Sequence, residues 1–307
     1  MPSQKLSISL NLIIVILVTG ATSLGISLLL GTIKLDYLLG IQQPKSENQK
    51  ASQDKAMIGS AQAVFSTQIT QVPNKFQGTV IYQGKLKPNE KVIALTFDDG
   101  PSPKNTAQIL EILQKNKIKA TFFMIGQMVK YFPQVAKQVV ADGEVIGNHT
   151  WHHSYRHMNV VTAASEINTT ADIIYQTTGV KTTLFRPPGG FLNNGLADYA
   201  KSQKYTVIMW SEVVGDAERP LPQVPKMVKN VLKNAKPGAI VLMHDGGGNR
   251  SRTVQALPEI IDGLKAQGYR FVTIPELLEI QAQEKNLVTP VSPVVTNHEY
   301  PNNQLHH

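Results

Sequence analysis

Seven apolar runs of strand length, set between helix-like segments, limit this chain to a small number of architectures. The runs are 91–97 (KVIALTF), 119–125 (KATFFMI), 144–148 (EVIGN), 183–186 (TLFR), 206–211 (TVIMWS), 239–243 (AIVLM) and 270–274 (RFVTI). Of the segments between them, TAQILEILQKN (106–116) puts Ile109, Leu110 and Leu113 on one helical face. TVQALPEIIDGLKAQG (253–268) repeats Val254, Leu257, Ile261 and Leu264, and Gly268 supplies a stop. Strands alternating with helices imply βα units and a largely parallel sheet, open or closed into a barrel. In either form the groups that do chemistry gather at the carboxyl ends of the strands.

The polar residues sort as that rule requires. DDG (98–100) follows the first run and His149 follows the third. Arg186 ends the fourth, Asp216 trails the fifth, and His244-Asp245 end the sixth. Five strand ends with ionisable groups would face one crevice. Within GNHTWHH (147–153), His149 and His153 stand four apart, which on a helical turn brings both rings to one ion. His152 is out of phase with them and reads as a wall or surface residue. Two imidazoles need a carboxylate to complete a His-His-Asp set with positions left open for water and substrate. DDG offers two. Adjacent carboxylates would repel at a strand end, so a metal on one and an arginine near the other would settle both.

The chain's 307 residues suffice for one or two domains with a sizeable core. It has no cysteine, which excludes disulfides, thiolate metal sites and a cysteine nucleophile. The net charge of +8 suits contact with anionic polymers or headgroups. No basic run with interleaved aromatics points to nucleic acid. From Leu6 to Ile33 the chain carries no charge over 28 residues, and about 20 suffice for a helix to cross a bilayer. With Lys5 before it, residues 1–33 read as a signal-anchor that leaves the rest outside the cytoplasm. Cleavage near Thr19-Gly20-Ala21, giving a secreted protein, is the alternative. Residues 34–77 read as a polar linker, 78–285 as the catalytic domain and 286–307 as a poorly ordered tail.

ALTFDDGPSP (94–103), KATFFMIG (119–126), IGNHTWHH (146–153), FRPPGG (185–190), MWS (209–211) and IVLMHDGG (240–247) resemble, in that order, the polysaccharide deacetylases. These carry the NodB-homology domain of carbohydrate esterase family 4. The resemblance covers roughly residues 78–280. It implies an α/β fold, a distorted (β/α) barrel of about seven strands, and removal of N- or O-acetyl groups from peptidoglycan, chitin-like or xylan chains. It also implies a divalent metal, foremost Zn2+, with Co2+, Mn2+ or Ni2+ as alternatives. Carried over by position, it makes Asp99, His149 and His153 the metal ligands and Asp98 the general base. Arg186 would hold that base, His244 would be the general acid, and Asp216 would support His244.

Four positions depart from the family pattern. Gly189 replaces a usual tyrosine, Val213 a usual aspartate, Ala217 a usual tryptophan and Ser154 a frequent proline. The missing rings predict a wide, shallow cleft that binds short chito-oligosaccharides weakly, unless Tyr155 or Phe191 supplies a surface. Val213 cannot accept hydrogen bonds, so Arg186 is expected to be held less rigidly. The same departures raise a second reading, a catalytically silent wall-binding protein on this fold.

Overall fold

The computed structural model describes residues 71–286. The expected membrane span, most of the linker and the tail lie outside the described residues. Among the described residues no helix is long and apolar enough to cross a membrane. Val72 and Phe76, assigned above to the linker, are buried in the domain's core.

All seven expected strands form. They are β2 (Val92–Asp98), β3 (Thr121–Met124), β4 (Val145–Asn148), β5 (Leu184–Phe185), β6 (Thr206–Ile208), β8 (Ala239–His244) and β9 (Arg270–Phe271). Two short ones join them, β1 (Val80–Ile81) and β7 (Glu212–Val213). Every pairing is parallel, in the order β1-β6-β5-β4-β3-β2-β8-β7, with β9 pairing the start of β2. The sheet curls as a partly open, distorted (β/α) barrel.

Eight helices are described: α1 (Asn105–Asn116), α2 (Gly126–Tyr131), α3 (Pro133–Ala141), α4 (Val160–Thr178), α5 (Leu196–Ser202), α6 (Val224–Asn234), α7 (Ser251–Ala266) and α8 (Ile274–Asn286). The helix α7 keeps Leu257, Ile260, Ile261 and Leu264 buried and accommodates Pro258 about two turns into its length. It ends as the sequence suggests. Gly268 takes φ +84°, Gly268 N–H donates to Lys265 O and Tyr269 N–H to Leu264 O, the paired bonds of a left-handed helix stop.

Strand alternation decides what faces the barrel interior. In β2, Ile93, Leu95 and Phe97 pack outward with helix residues such as Ile109, Leu113 and Leu257. Val92 and Ala94 pack inward with Phe123, Leu184, Ile208 and Ile240. Thr96 and Asp98 continue that inner row at period two. The same parity turns Arg186 inward after Leu184, and His244 inward after Ile240. A one-residue slip would send all three to the helix layer, so the apolar pattern that builds the core also aims the polar groups.

Candidate active site

Asp98 and His244 are register partners at the ends of β2 and β8. The Asp245 and Gly246 N–H groups both donate to Asp98 O, at 3.0 and 3.2 Å, and tie the two strand ends together. Arg186 approaches from β5 and is fully buried. Its Nη1 donates to Asp98 Oδ1 at 2.7 Å and to Thr96 Oγ1 at 2.9 Å. Its Nε donates to Ile208 O at 3.0 Å and its Nη2 to Met209 O at 3.1 Å, and its Cζ lies over the Phe123 ring, 4.1 Å from the centroid. The expectation of a loosely held arginine is therefore corrected. Backbone carbonyls and a threonine hold it, while Val213 is exposed to solvent.

Asp99 turns the chain with φ +73°, a left-handed conformation that aspartate tolerates better than most residues. Its Oδ1 lies 3.1 Å from His153 Nε2 and 3.5 Å from His149 Nε2. The ligand atoms of the three residues lie within 4.8 Å of one another. Asp99 Oδ1 is buried with no hydrogen-bond partner, which is costly for a carboxylate oxygen unless a cation fills the gap. His149 Nδ1 sits 2.7 Å from Arg186 O, so that nitrogen carries the proton and Nε2 presents its lone pair toward Asp99. Burial alone would raise the Asp99 pKa, but the two imidazoles beside it, when protonated, outweigh burial and hold the carboxyl below its ordinary range. This donor set fits a divalent metal such as zinc.

The expected helical turn at 149–153 does not form. Thr150 (φ +67°) and His153 (φ +56°) are left-handed, and neither His149 nor His153 lies in a helix. The turn is held from outside instead. Glu166 of α4 accepts the Trp151 and His152 N–H groups on Oε2 at 3.0 and 2.9 Å, and His152 Nδ1 lies 2.5 Å from its Oε1. His152 points away from the cluster and is largely exposed, as its phase suggests.

His244 Nδ1 lies 2.8 Å from Asp216 Oδ1. Asp216 Oδ2 also accepts the His244 N–H and Thr253 Oγ1–H, both at 2.8 Å. Burial would lower the His244 pKa. The Asp216 hydrogen bond and the charges of Asp216, Asp98 and Asp99 outweigh it and raise the pKa above its ordinary value. All seven residues expected from sequence thus lie together at the carboxyl ends of the strands.

A polysaccharide deacetylase family model matches residues 85–208. A peptidoglycan-N-acetylglucosamine deacetylase of Bacillus cereus is 45% identical over 195 residues, covering 62% of this chain and 89% of that protein. The chain belongs to the polysaccharide deacetylase family. A solved peptidoglycan N-acetylglucosamine deacetylase, in complex with 4-naphthalen-1-yl-N-oxidanyl-benzamide, superposes with a TM-score of 0.62 at 32% identity, covering 67% of this chain and 94% of that one. A family pseudoenzyme from Bacillus anthracis superposes with a TM-score of 0.60 at 33% identity, covering 66% of this chain and 69% of that one. Deacetylases of this family are metal-dependent, and Asp99, His149 and His153 are the candidate site in this polysaccharide deacetylase.

Three supporting residues escaped the sequence reading. Arg250, at the entry to α7, donates to Gly246 O at 2.6 Å and Asp216 O at 2.7 Å, and its Nη2 lies 3.7 Å from Asp99 Oδ2. Arg250 and Thr253 are three apart, a spacing that puts both on one side of a helix start, and this was the available signal. Glu166 left none. Gly246 has a plain requirement: a Cβ there would fall 1.9 Å from Asp99 O. Asp245, fully buried, has its pKa pushed up to about 7 by burial, with the Asp99 and Asp98 charges adding to the rise and its hydrogen bond with Thr106 opposing it.

Proposed function

We propose that this polysaccharide deacetylase hydrolyses acetamido groups of peptidoglycan, outside the cytoplasm. The observation that carries the reading is the pairing of Asp98 with Arg186 and of His244 with Asp216 on adjacent strand ends beside the Asp99–His149–His153 cluster. Similarity to the Bacillus cereus enzyme supports peptidoglycan as the polymer. The uncharged run Leu6–Ile33 supports tethering to the membrane, or export if it is cleaved.

Asp99, His149 and His153 would hold the metal, with Zn2+ the best match to one carboxylate and two imidazoles. Bound there, it would supply Lewis acidity to the acetyl carbonyl and acidify water. Asp98 takes the proton of the attacking water. Arg186 fixes its Oδ1, which leaves Oδ2 to act as the base. The Gly189 N–H stabilises the developing oxyanion. The hydrogen bonds that shape its loop run from Gly190 N–H to Pro187 O and from Phe191 N–H to Pro188 O, and so do not use it. His244, kept protonated by Asp216, donates to the sugar nitrogen as the C–N bond breaks, so that an amine leaves and not an amide anion.

The silent reading retains one observation in its favour, the likeness to a pseudoenzyme. Presence of both acid–base pairs favours the enzyme. The polymer is tested by treating purified peptidoglycan with the full chain and mapping free amines in its fragments by mass spectrometry. Free glucosamine or muramic amine is the expected result. Fragments unchanged, with acetylxylan deacetylated, would reassign the substrate.

A further inference from the structure

Gly189 lacks the ring usual at its position, yet its space is filled. The residue has φ +62°, and a Cβ built on it would lie 2.9 Å from Phe191 Cε2 and 3.1 Å from Tyr155 Cε1. Two rings from other positions thus close over the glycine. They meet edge to face at 5.7 Å, and Tyr155 packs edge to face on His153 at 5.2 Å. His153 in turn is 3.1 Å from Asp99. An unbroken row of rings therefore runs outward from the candidate metal site. Its outer members remain open to solvent, Tyr155 at 57% and Phe191 at 45% exposure. Both are anchored at the backbone, Tyr155 just beyond the turn that carries His153 and Phe191 by its N–H to Pro188 O.

Large rings held in a pair but half exposed offer apolar area that the protein itself does not cover. We propose that Tyr155 and Phe191 form a pyranose-binding platform that seats the sugar unit next to the one being deacetylated. The inference rests on the polysaccharide reading above. A β-linked pyranose with equatorial substituents presents a face of axial C–H groups, which a fixed aromatic surface accommodates at little cost in conformational entropy. The row's contact with His153 sets its distance from the reacting acetyl group, so it selects a chain that continues beyond that sugar. The missing ring at 189 does not leave the wall bare. Short chito-oligosaccharides, expected from sequence to bind weakly, are the ligands that gain from this surface.

The test uses the zinc-loaded full chain carrying Asp98→Asn, so that sugar is bound and not consumed. Calorimetry with a chito-oligosaccharide is then compared with and without Phe191→Ala, Tyr155→Ala and Phe191→Trp. Each alanine is expected to weaken binding about two- to tenfold with zinc content unchanged, and the tryptophan to hold or tighten it. In chains that keep Asp98 and so turn over, the alanines are expected to raise KM more than they lower kcat. Unchanged affinity in both alanine variants would overturn the platform. Zinc loss in parallel with affinity would also overturn it, since the rings would then be supports for His153. Ring-dependent binding by a chain that releases no acetate would uphold the platform and sink the deacetylase reading instead.

Discussion

Asp216→Asn removes one charge from the His244 pair with almost no change of shape. Asp216 Oδ1 faces His244 Nδ1 at 2.8 Å, and both side chains are mostly shielded from water. The other oxygen accepts two hydrogen bonds, from His244 N–H and Thr253. An asparagine keeps both by placing its carbonyl there, which turns its NH2 toward Nδ1. The imidazole then sits neutral with its proton on Nε2, a far weaker acid than imidazolium. Loss of an opposite charge at this range lowers a histidine pKa by about 1–3 units, or roughly 1.4–4 kcal/mol. A general acid works only while protonated, so activity is lost as pH rises through its pKa. The basic limb of kcat/KM should therefore move down by about 1–3 units, and above both limbs each unit costs about tenfold. Stability follows the same sign. The folded His244 pKa lies above its ordinary 6.5, so its contribution is full below 6.5 and fades as pH rises through the folded value. The variant should lose most of that gain at low pH and differ less at high pH. Acetate release measured across about pH 5–9 at constant zinc content reads the limb directly. A basic limb left in place, with turnover near wild type, would mean that His244 is not the acid.

His149→Ala and His153→Ala should abolish stoichiometric zinc binding, whereas His152→Ala should retain it, as read by metal analysis of the purified chains. Glu166→Ala, which frees the Trp151 and His152 N–H groups, should weaken zinc affinity by about tenfold or more, because the supporting shell around a metal ligand typically carries 10–100-fold. Burial pushes the Glu144 pKa from 4.5 up to about 7, against the hydrogen bond from Ala120 N–H and the charge of Lys119. The raised value means that wild-type stability falls as pH rises from 4.5 toward 7, and Glu144→Gln should flatten that slope in urea denaturation.

The barrel was legible because buried parallel strands read as continuous apolar runs, and β2 and β8 are the longest of them. Parity within β2 also separates the two aspartates. Asp98 extends the inner row of Val92, Ala94 and Thr96, and Asp99 belongs to the turn that follows. The spacing of His149 and His153 was read correctly for proximity and wrongly for conformation. A four-residue interval fits a helix, but Glu166, contributed by the helix that follows, holds a turn with left-handed residues that brings the rings to 4.9 Å all the same. The expectation about Val213 failed for a related reason. The acceptors that fix Arg186 include the carbonyls of Ile208 and Met209, and a backbone carbonyl has no signature in sequence. Gly189 announced a missing ring, while the two rings that fill its space lie at 155 and 191 and meet only in the fold.

The most direct test of the account is acetate release from purified peptidoglycan by the full chain, before chelation, after chelation and after zinc is restored, with Asp98→Asn alongside. The account predicts release that chelation abolishes and zinc restores. It also predicts an Asp98→Asn chain that binds zinc normally and turns over about 10²–10⁴-fold more slowly. Release that survives complete removal of metal, or an Asp98→Asn chain as fast as wild type, would contradict it.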